Sequence, residues 1–334
     1  MTPVRVVWSE DPRDFVGRDW SDLVEADPSG TIFHTPEYLK LYWEEFGGEI
    51  DRLLLAFGEA PDGSQVAATA FEAVGGTIRF LGGTEVTDYL GPVGHEDVRD
   101  GYADAVWDDL VARGDWARAD LGGLPEDSPW LPALGRGAEA AGLSVEQTND
   151  RNGVAPLIEL PASWDGYLAQ IPSKRRHEIR RKAKKLEAEG GPFSLELATG
   201  ASLLPLLDRF VELHRLSGGP KGVFMVPGME IFFRRLGEAF CERGVFRLTF
   251  MRLRDQLAAG TIGFSFRGTY SLYNSAFDRT WQRLAPGMVL VAENIRRAID
   301  EGCERFDLLK GDYGYKYRFG ARRRAVKRLI VARR

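Results

Sequence analysis

One order of elements occurs twice along this chain of 334 residues, and that doubling limits the fold more than any single motif does. In the first half VRVVW, from Val4, reads as a strand, and helical patterns follow near 12–26 and 36–47. Three strand-like runs come next, DRLLLAFG, SQVAATAFEAV and GTIRFLG, divided by the turn formers PDG and GG. A helix near 98–113, the strand WARADLG, a helix near 130–141 and LSVEQT complete the series. The second half repeats the order: FSLELAT, helices near 202–216 and 228–242, then VFRLTFMRL, LAAGTIGFSFR and YSLYNSAF. A helix from about 286 to 301, the strand ERFDLL and a closing strand AVKRLIVA follow. A β-α-α-β-β-β-α-β order found twice without sequence identity implies two copies of one α/β architecture with mixed sheets.

Between the halves lies PLIELPASWDGYLAQIPSKRRHEIRRKAKKLEAEGG: a strand-like run, a short helix, and a long basic helix stopped by Gly190 and Gly191. Charge changes sign at the same place. Residues 1–155 carry 11 Lys and Arg against 30 Asp and Glu, and residues 156–334 carry 33 against 19, which makes the halves −19 and +14. Domains of 1–155 and 156–334 are therefore expected, with an anionic partner for the second. The two cysteines, Cys241 and Cys303, and four scattered histidines have no metal-ligand spacing, so neither a zinc site nor a disulfide framework is expected. No apolar run approaches the roughly 20 residues of a bilayer span, and the N-terminus lacks a leader pattern. A cytoplasmic protein is the expectation.

Three stretches concentrate chemistry. Ser173 stands as an N-cap before Lys174, Arg175 and Arg176, where the helix dipole disfavours bases. Ile179, Ala183 and Leu186 form a narrow apolar stripe for docking that helix; Glu178 with Lys182 and Lys185 with Glu189 form internal pairs, and Arg175 and Arg176 remain for an anion at the helix start. In RLAPGMVLVAENIRRAIDEG, Pro286 and Gly287 open a helix whose free N–H groups face a phosphate, with Arg279 and Arg283 upstream. In ERFDLLKGDYGYKYRFG, Asp307 is an acid inside an interior strand and needs a partner, and the loop beyond it gathers Lys310, Asp312, Tyr313, Tyr315, Lys316 and Arg318 around glycines. Lesser signals are Tyr273, Asn274 and Asp278 on the last meander strand, His214 in FVELHRLSGGPKG, and Asp88, Tyr89 and Pro92 in TDYLGP.

Together FHTPEYLKLYW, SKRRHEIRRKAKKLE, FVELHRLSGGPKG and LAPGMVLVAENIRRAIDEGCERFDLLKGDYGYKYRFG resemble the CelD/BcsL-like acetyltransferases of the Gcn5-related N-acetyltransferase (GNAT) superfamily, relatives of the FemAB-type aminoacyl transferases. The likeness is strongest in a G-D-x-x-Y-K core, here Gly311, Asp312, Tyr315 and Lys316, preceded by Lys310 where the family has arginine. It implies two tandem GNAT-like domains and transfer of an acetyl or acyl group from acyl-CoA to an amine or hydroxyl of a small molecule or saccharide, without a metal. It places the cofactor on Arg283, Pro286, Gly287, Met288 and Val289; of the superfamily's glycine-rich signature Arg283 and Gly287 are present and the second small residue is not. Asp312 or Asp307 is then the base or orienting group, Tyr315 the proton donor, and Lys316 the oxyanion or substrate cation. Arg175, Arg176, His214, Tyr273, Asp278 and Lys310 are left for substrate, in a cleft between the domains. The acidic first half, whose FLGGTEVTDYLGP lacks a base, is expected to be a degenerate copy that shapes the acceptor site. Two other readings are a tRNA partner with aminoacyl-tRNA as donor, and a non-catalytic module for anionic ligands.

Overall fold

The structure, a computed structural model, describes residues 3–83, 85–217 and 224–333, and it divides into two compact units. Unit 1 is Met1–Val154 with Arg324–Arg334, and unit 2 is Ala155–Arg323. The strands of unit 1 are β1 (Arg5–Ser9), β2 (Arg52–Glu59), β3 (Gln65–Val74), β4 (Thr77–Phe80), β5 (Val93–Gly94), β6 (Arg118–Pro125) and β7 (Ser144–Val154). Unit 2 holds β8 (Leu157–Glu159), β9 (Phe193–Leu197), β10 (Phe246–Leu253), β11 (Gln256–Phe266), β12 (Thr269–Phe277) and β13 (Arg305–Asp307), and β14 (Ala325–Ala332) follows.

Each unit is a mixed sheet built on an antiparallel meander whose last strand pairs in parallel with the strand after the next helix. In unit 1 the order is β1-β2-β3-β4-β6-β14-β7, with β5 also on β3, and β4 and β6 are parallel. In unit 2 it is β8-β13-β12-β11-β10-β9, with β12 and β13 parallel. The short hairpin links of the meanders, and the crossover helices Arg99–Arg113 and Pro286–Asp300 between the parallel strands, are what the sequence patterns require. The fold is thus mixed α/β in two sheets of the same plan.

One expectation is corrected. AVKRLIVA does not close the second series: as β14 it lies between β6 and β7 in the first sheet, and β8, from the stretch joining the halves, takes the equivalent place beside β13. Each sheet therefore takes one strand from outside its own series. The pattern AVKRLIVA buries Val326, Leu329 and Val331, and a strand with one apolar face meets that demand in either sheet.

The core of unit 1 fills the side of its sheet under the Arg99–Arg113 helix, where Tyr102, Val106, Trp107 and Leu110 pack on Phe71, Phe80 and Leu121. In unit 2 the Pro286–Asp300 helix plays that part, with Val291, Ile295 and Ile299 on Tyr270, Leu272 and Phe306. The Ser173–Gly190 helix lies against it through the expected stripe: Ile179 joins that cluster, and Ala183 and Leu186 join a second one with Val289 and Leu290. The pairs Glu178–Lys182 (3.8 Å) and Lys185–Glu189 (3.9 Å) are present. Ser173 is the first residue inside the helix instead of its cap; Pro172 precedes it and no side chain caps the end.

Candidate functional site

The pairing of β12 with β13 lasts three residues: Thr269↔Arg305, Tyr270↔Phe306 and Ser271↔Asp307. Beyond Ser271, β12 runs on to Phe277 beside β11, while the chain after Asp307 turns away. From Leu272 to Phe277 the β13-facing edge of β12 thus has no strand partner among the described residues, and a gap opens between two parallel strands at their C-terminal ends. Open α/β sheets bind ligands at such places.

At the end of β12, the Asp278 carboxylate accepts from the Thr280 N–H (2.9 Å) and hydroxyl (2.7 Å) and so caps the 3-10 turn Arg279–Leu284. Asp278, expected on substrate, is engaged in that cap and in an ion pair with Arg209 (3.5 Å). Ala285 then adopts a left-handed conformation (φ 52°), and the Pro286–Asp300 helix begins with neither a side-chain cap nor an acid in its first turn. Pro286 has no N–H, and those of Met288 and Val289 return to the Ala285 carbonyl (3.0 and 3.3 Å), so the Gly287 N–H remains as the donor at the helix start. A Cβ on Gly287 would stand 3.6 Å from the Phe277 ring, so the helix start abuts the end of β12. Arg279 and Arg283 are exposed beside it, and Lys185 of the basic helix donates to the Arg283 carbonyl (3.2 Å). An uncapped helix start of positive potential, ringed by cations, fits a phosphate and has no structural need of one.

On the other side of the gap Leu309 is left-handed (φ 57°). This costly conformation for a branched residue is held from both ends. Asp307, buried in the strand, accepts the Leu309 N–H (2.8 Å), and buried Lys316 donates to the carbonyls of Leu309 and Lys310 (2.8 Å each) with its ammonium 5.5 Å from the Tyr313 ring centre. A backbone amide is thus one partner of the acid of β13. Asp307 and Lys316, expected to act on substrate, have these polar contacts with the loop backbone. Gly311 (φ 116°) is needed because a Cβ there would lie 2.4 Å from Tyr313.

Asp312 is exposed, accepts the Tyr317 hydroxyl and pairs with Arg323 (3.4 Å). Tyr315 stacks on Tyr313 (6.3 Å, 18°) and packs, like Met288, on the cluster of Val291 and Phe306. Burial pushes the Tyr315 hydroxyl up to about 12, so its proton stays on at neutral pH. Arg175 and Arg176 are half-buried: Arg176 donates to the Leu168 carbonyl (3.0 Å), and Arg175 pairs with Glu178 (3.4 Å), which also meets Arg318 of the loop (3.3 Å). Both, expected to hold an anion, have these contacts to neighbouring groups. Lys310 contributes its carbonyl to the Lys316 contact.

His214 and Tyr273 are linked through the rings of Phe224 and Phe233. The β11–β12 register slips at Ile262/Gly263, so Tyr273 is an extra, bulged residue between Leu272 and Asn274. His214, at the end of the Gly200–Leu216 helix, has Nε2 3.1 Å from Asn274 Oδ1. The 218–222 part of the motif containing His214 lies outside the described residues. The bulge was missed in the sequence, although Gly263 inside a strand pattern is its signal: a Cβ there would be 2.8 Å from the Ser271 carbonyl.

Residues 173–317 match the family model of the acetyltransferase (GNAT) domain. This GNAT match spans the basic helix, the gap, the helix start and the loop, and it supports a transferase. No curated protein matches the sequence. Solved structures of similar fold include a conserved protein of unknown function from Bacteroides thetaiotaomicron VPI-5482 (TM-score 0.65, 12% identity, 100% of both chains). FemX is also similar (TM-score 0.68, 10% identity, 97% of this chain and 96% of that one), as is a tandem GNAT protein from the clavulanic acid biosynthesis pathway (0.51, 14%, 98% of both). At these identities the likeness establishes the GNAT-like fold alone. Among the described residues no cluster of His, Cys, Asp or Glu is placed to hold a metal, and no helix is long and apolar enough to cross a membrane.

Proposed function

We propose that unit 2 is an acyl-CoA-dependent N- or O-acyltransferase of CelD/BcsL-like type, acting in the cytoplasm on a small-molecule or saccharide acceptor. One observation carries the reading: the parallel pair β12–β13 parts after Ser271 and Asp307 beside an uncapped, cation-flanked helix start. A long thin ligand with a pyrophosphate at one end matches a gap with an anion-binding mouth. The Gly287 N–H and the helix dipole would hold the pyrophosphate, with Pro286 setting the first turn, Met288 and Val289 closing that turn on Ala285, and Arg283 adding charge. When bound, acyl-CoA supplies the thioester.

The acceptor nitrogen or oxygen bonds to the acyl carbon as the carbon–sulfur bond breaks. Asp312 takes the acceptor's proton, directly or through water, and the Tyr315 hydroxyl donates one to the departing thiolate. Asp307 and Lys316 serve this chemistry by fixing the loop that carries both groups. The acceptor lies beside Tyr273 and Lys310, with Asp278 shaping the mouth and His214 buried behind the strand.

Gly287→Asp tests the reading. An aspartate in the first helical turn stabilises a helix by about 0.3–1 kcal/mol and replaces a glycine that costs roughly 0.5–1 kcal/mol in a helix, yet it repels phosphate. The expected result is an unchanged or higher melting temperature with CoA binding weakened at least about tenfold in calorimetry. Equal CoA affinity in the variant would refute the site. Wild-type protein that binds uncharged tRNA with steep salt dependence and ignores CoA would replace the donor.

A further inference from the structure

We propose that His214 is a positioning residue for acyl transfer, acting through Asn274 on the bulged backbone of β12; this rests on the transferase reading above. The bulge sits where β12 has lost its parallel partner, so the ladder that normally fixes a strand is broken on one edge and slipped on the other. Side chains replace it. Asn274 Oδ1 accepts the N–H of Ser275 (2.8 Å) and faces His214 Nε2 (3.1 Å). A backbone N–H can only donate, so the Asn274 atom at that point is the oxygen, and the histidine must carry its hydrogen on Nε2.

The ring is in turn clamped. His214 is 1% exposed and lies 5.9 Å from the rings of Phe210 and Phe224, while Tyr273 packs on Phe233 (5.4 Å) and Phe264 (5.7 Å). An apolar side chain would fill this aromatic setting without any polar group to satisfy. A histidine there, donating to a side chain that braces the bulge, fixes the backbone edge that faces the gap. Both the neutral Nε2–H tautomer and the imidazolium donate, so this role does not depend on the charge of the ring.

The test combines kinetics with amide exchange. His214→Ala is expected to lower kcat about 10- to 100-fold with little change in KM for the acyl donor, the pattern of a contact that matters in the transition state. His214→Gln, whose amide can donate from a similar place, restores most of the rate and leaves the shape of the pH profile between pH 6 and 8 as in the wild type. Asn274→Ala gives the same loss, and the double variant is no worse than either single one. Independently of turnover, hydrogen exchange at Ser275 N–H is at least about tenfold faster in His214→Ala and Asn274→Ala. Wild-type exchange in both refutes the bracing, whether or not any acyl-CoA is turned over; a His214→Ala variant at wild-type kcat refutes its bearing on transfer. Loss of an acidic limb in folded His214→Gln would make the ring a base and overturn the proposal. A folded wild type inert with every acyl-CoA but with the exchange effect intact refutes the transferase reading alone.

Discussion

The two sheets open their parallel pairs in the same way and then diverge. Thr77 faces Arg118 in unit 1 and Thr269 faces Arg305 in unit 2, each just past a meander hairpin, and each arginine is followed two residues later by a buried aspartate, Asp120 or Asp307. In unit 1 β6 runs on to Pro125, Asp120 pairs with Arg118 and Arg328, and β14 covers the strand. The chain after β4 leaves on an excursion and returns as β5; on the way the Leu90 N–H donates to the Gly123 carbonyl (3.0 Å), with Tyr89 and Leu90 buried. The protein's own backbone occupies the place that stays open in unit 2. There β13 stops after Asp307, which caps a left-handed Leu309 and sends the chain into a charged loop. An aspartate at one register position thus braces a continued strand in one copy and a turn in the other, and only the second leaves room for a ligand between the strands.

The largest effect expected from breaking this comparison comes from removing β14. Truncation after Arg323 takes the buried side chains of Val326, Leu329 and Val331, each worth roughly 1.5–3 kcal/mol when fully buried. It also removes the strand on which β7 pairs. Set against the 5–15 kcal/mol that stabilises an ordinary domain, the loss is expected to unfold unit 1. Circular dichroism and limited proteolysis of the truncated chain would show cleavage confined to residues before Val154; a native melt would show that β14 is dispensable.

The place of this strand depends on more than a single sequence carries. Local signals were legible: the meander hairpins, the stripe of Ile179, Ala183 and Leu186, its two ion pairs, and the helix start at Pro286 all depend on neighbours within a few residues. The sheet joined by AVKRLIVA depends on partners nearly two hundred residues away, and its apolar alternation satisfies either sheet. The loop was legible as a place but not in its contacts. Lys316 near Gly314 and Asp307 inside its strand read as groups for substrate; their contacts with the backbone around Leu309, a residue whose type does not announce φ > 0, are not written in the local sequence. The bulge at Tyr273 had only the glycine opposite it as a sign.

A second, smaller break is Gly123→Ala. Gly123 has φ 83°, and an added Cβ would stand 3.0 Å from both the backbone nitrogen and the Cβ of Leu90. The left-handed conformation costs an alanine about 1–2 kcal/mol and the crowding about 1–3 kcal/mol, so destabilisation of roughly 2–5 kcal/mol is expected from urea melts. Its counterpart three residues past the aspartate in unit 2 is Lys310, where no glycine is required. If the excursion fills unit 1 as described, calorimetric titration with CoA gives a single site per chain in the wild type. A second site of similar affinity would mean that the excursion yields to ligand and that the two copies differ less than their backbones imply.

The gentlest probe compares Glu72 with Phe264, each two residues before the end of its meander hairpin. Phe264 packs edge-on against Tyr273, whereas Glu72 is buried at 6% exposure and its Oε2 has no hydrogen-bond partner among the described residues. Burial pushes the Glu72 carboxyl from 4.5 up to about 7, against the opposing pull of Arg79 across the strand pair. The folded protein thus holds this proton more tightly than the unfolded chain. The resulting stability is complete below about pH 4.5, falls as pH rises to about 7, and is fully lost above it. At about 1.4 kcal/mol per pH unit, the contribution amounts to at most roughly 3 kcal/mol. Glu72→Gln keeps the shape and cannot ionise, so the difference in melting temperature between variant and wild type is expected to grow from pH 5 to pH 7.5 in favour of the variant, and then to level off. A constant difference across that range would show that the carboxyl is already ionised in the fold and that unit 1 tolerates a charge where unit 2 has a phenyl ring.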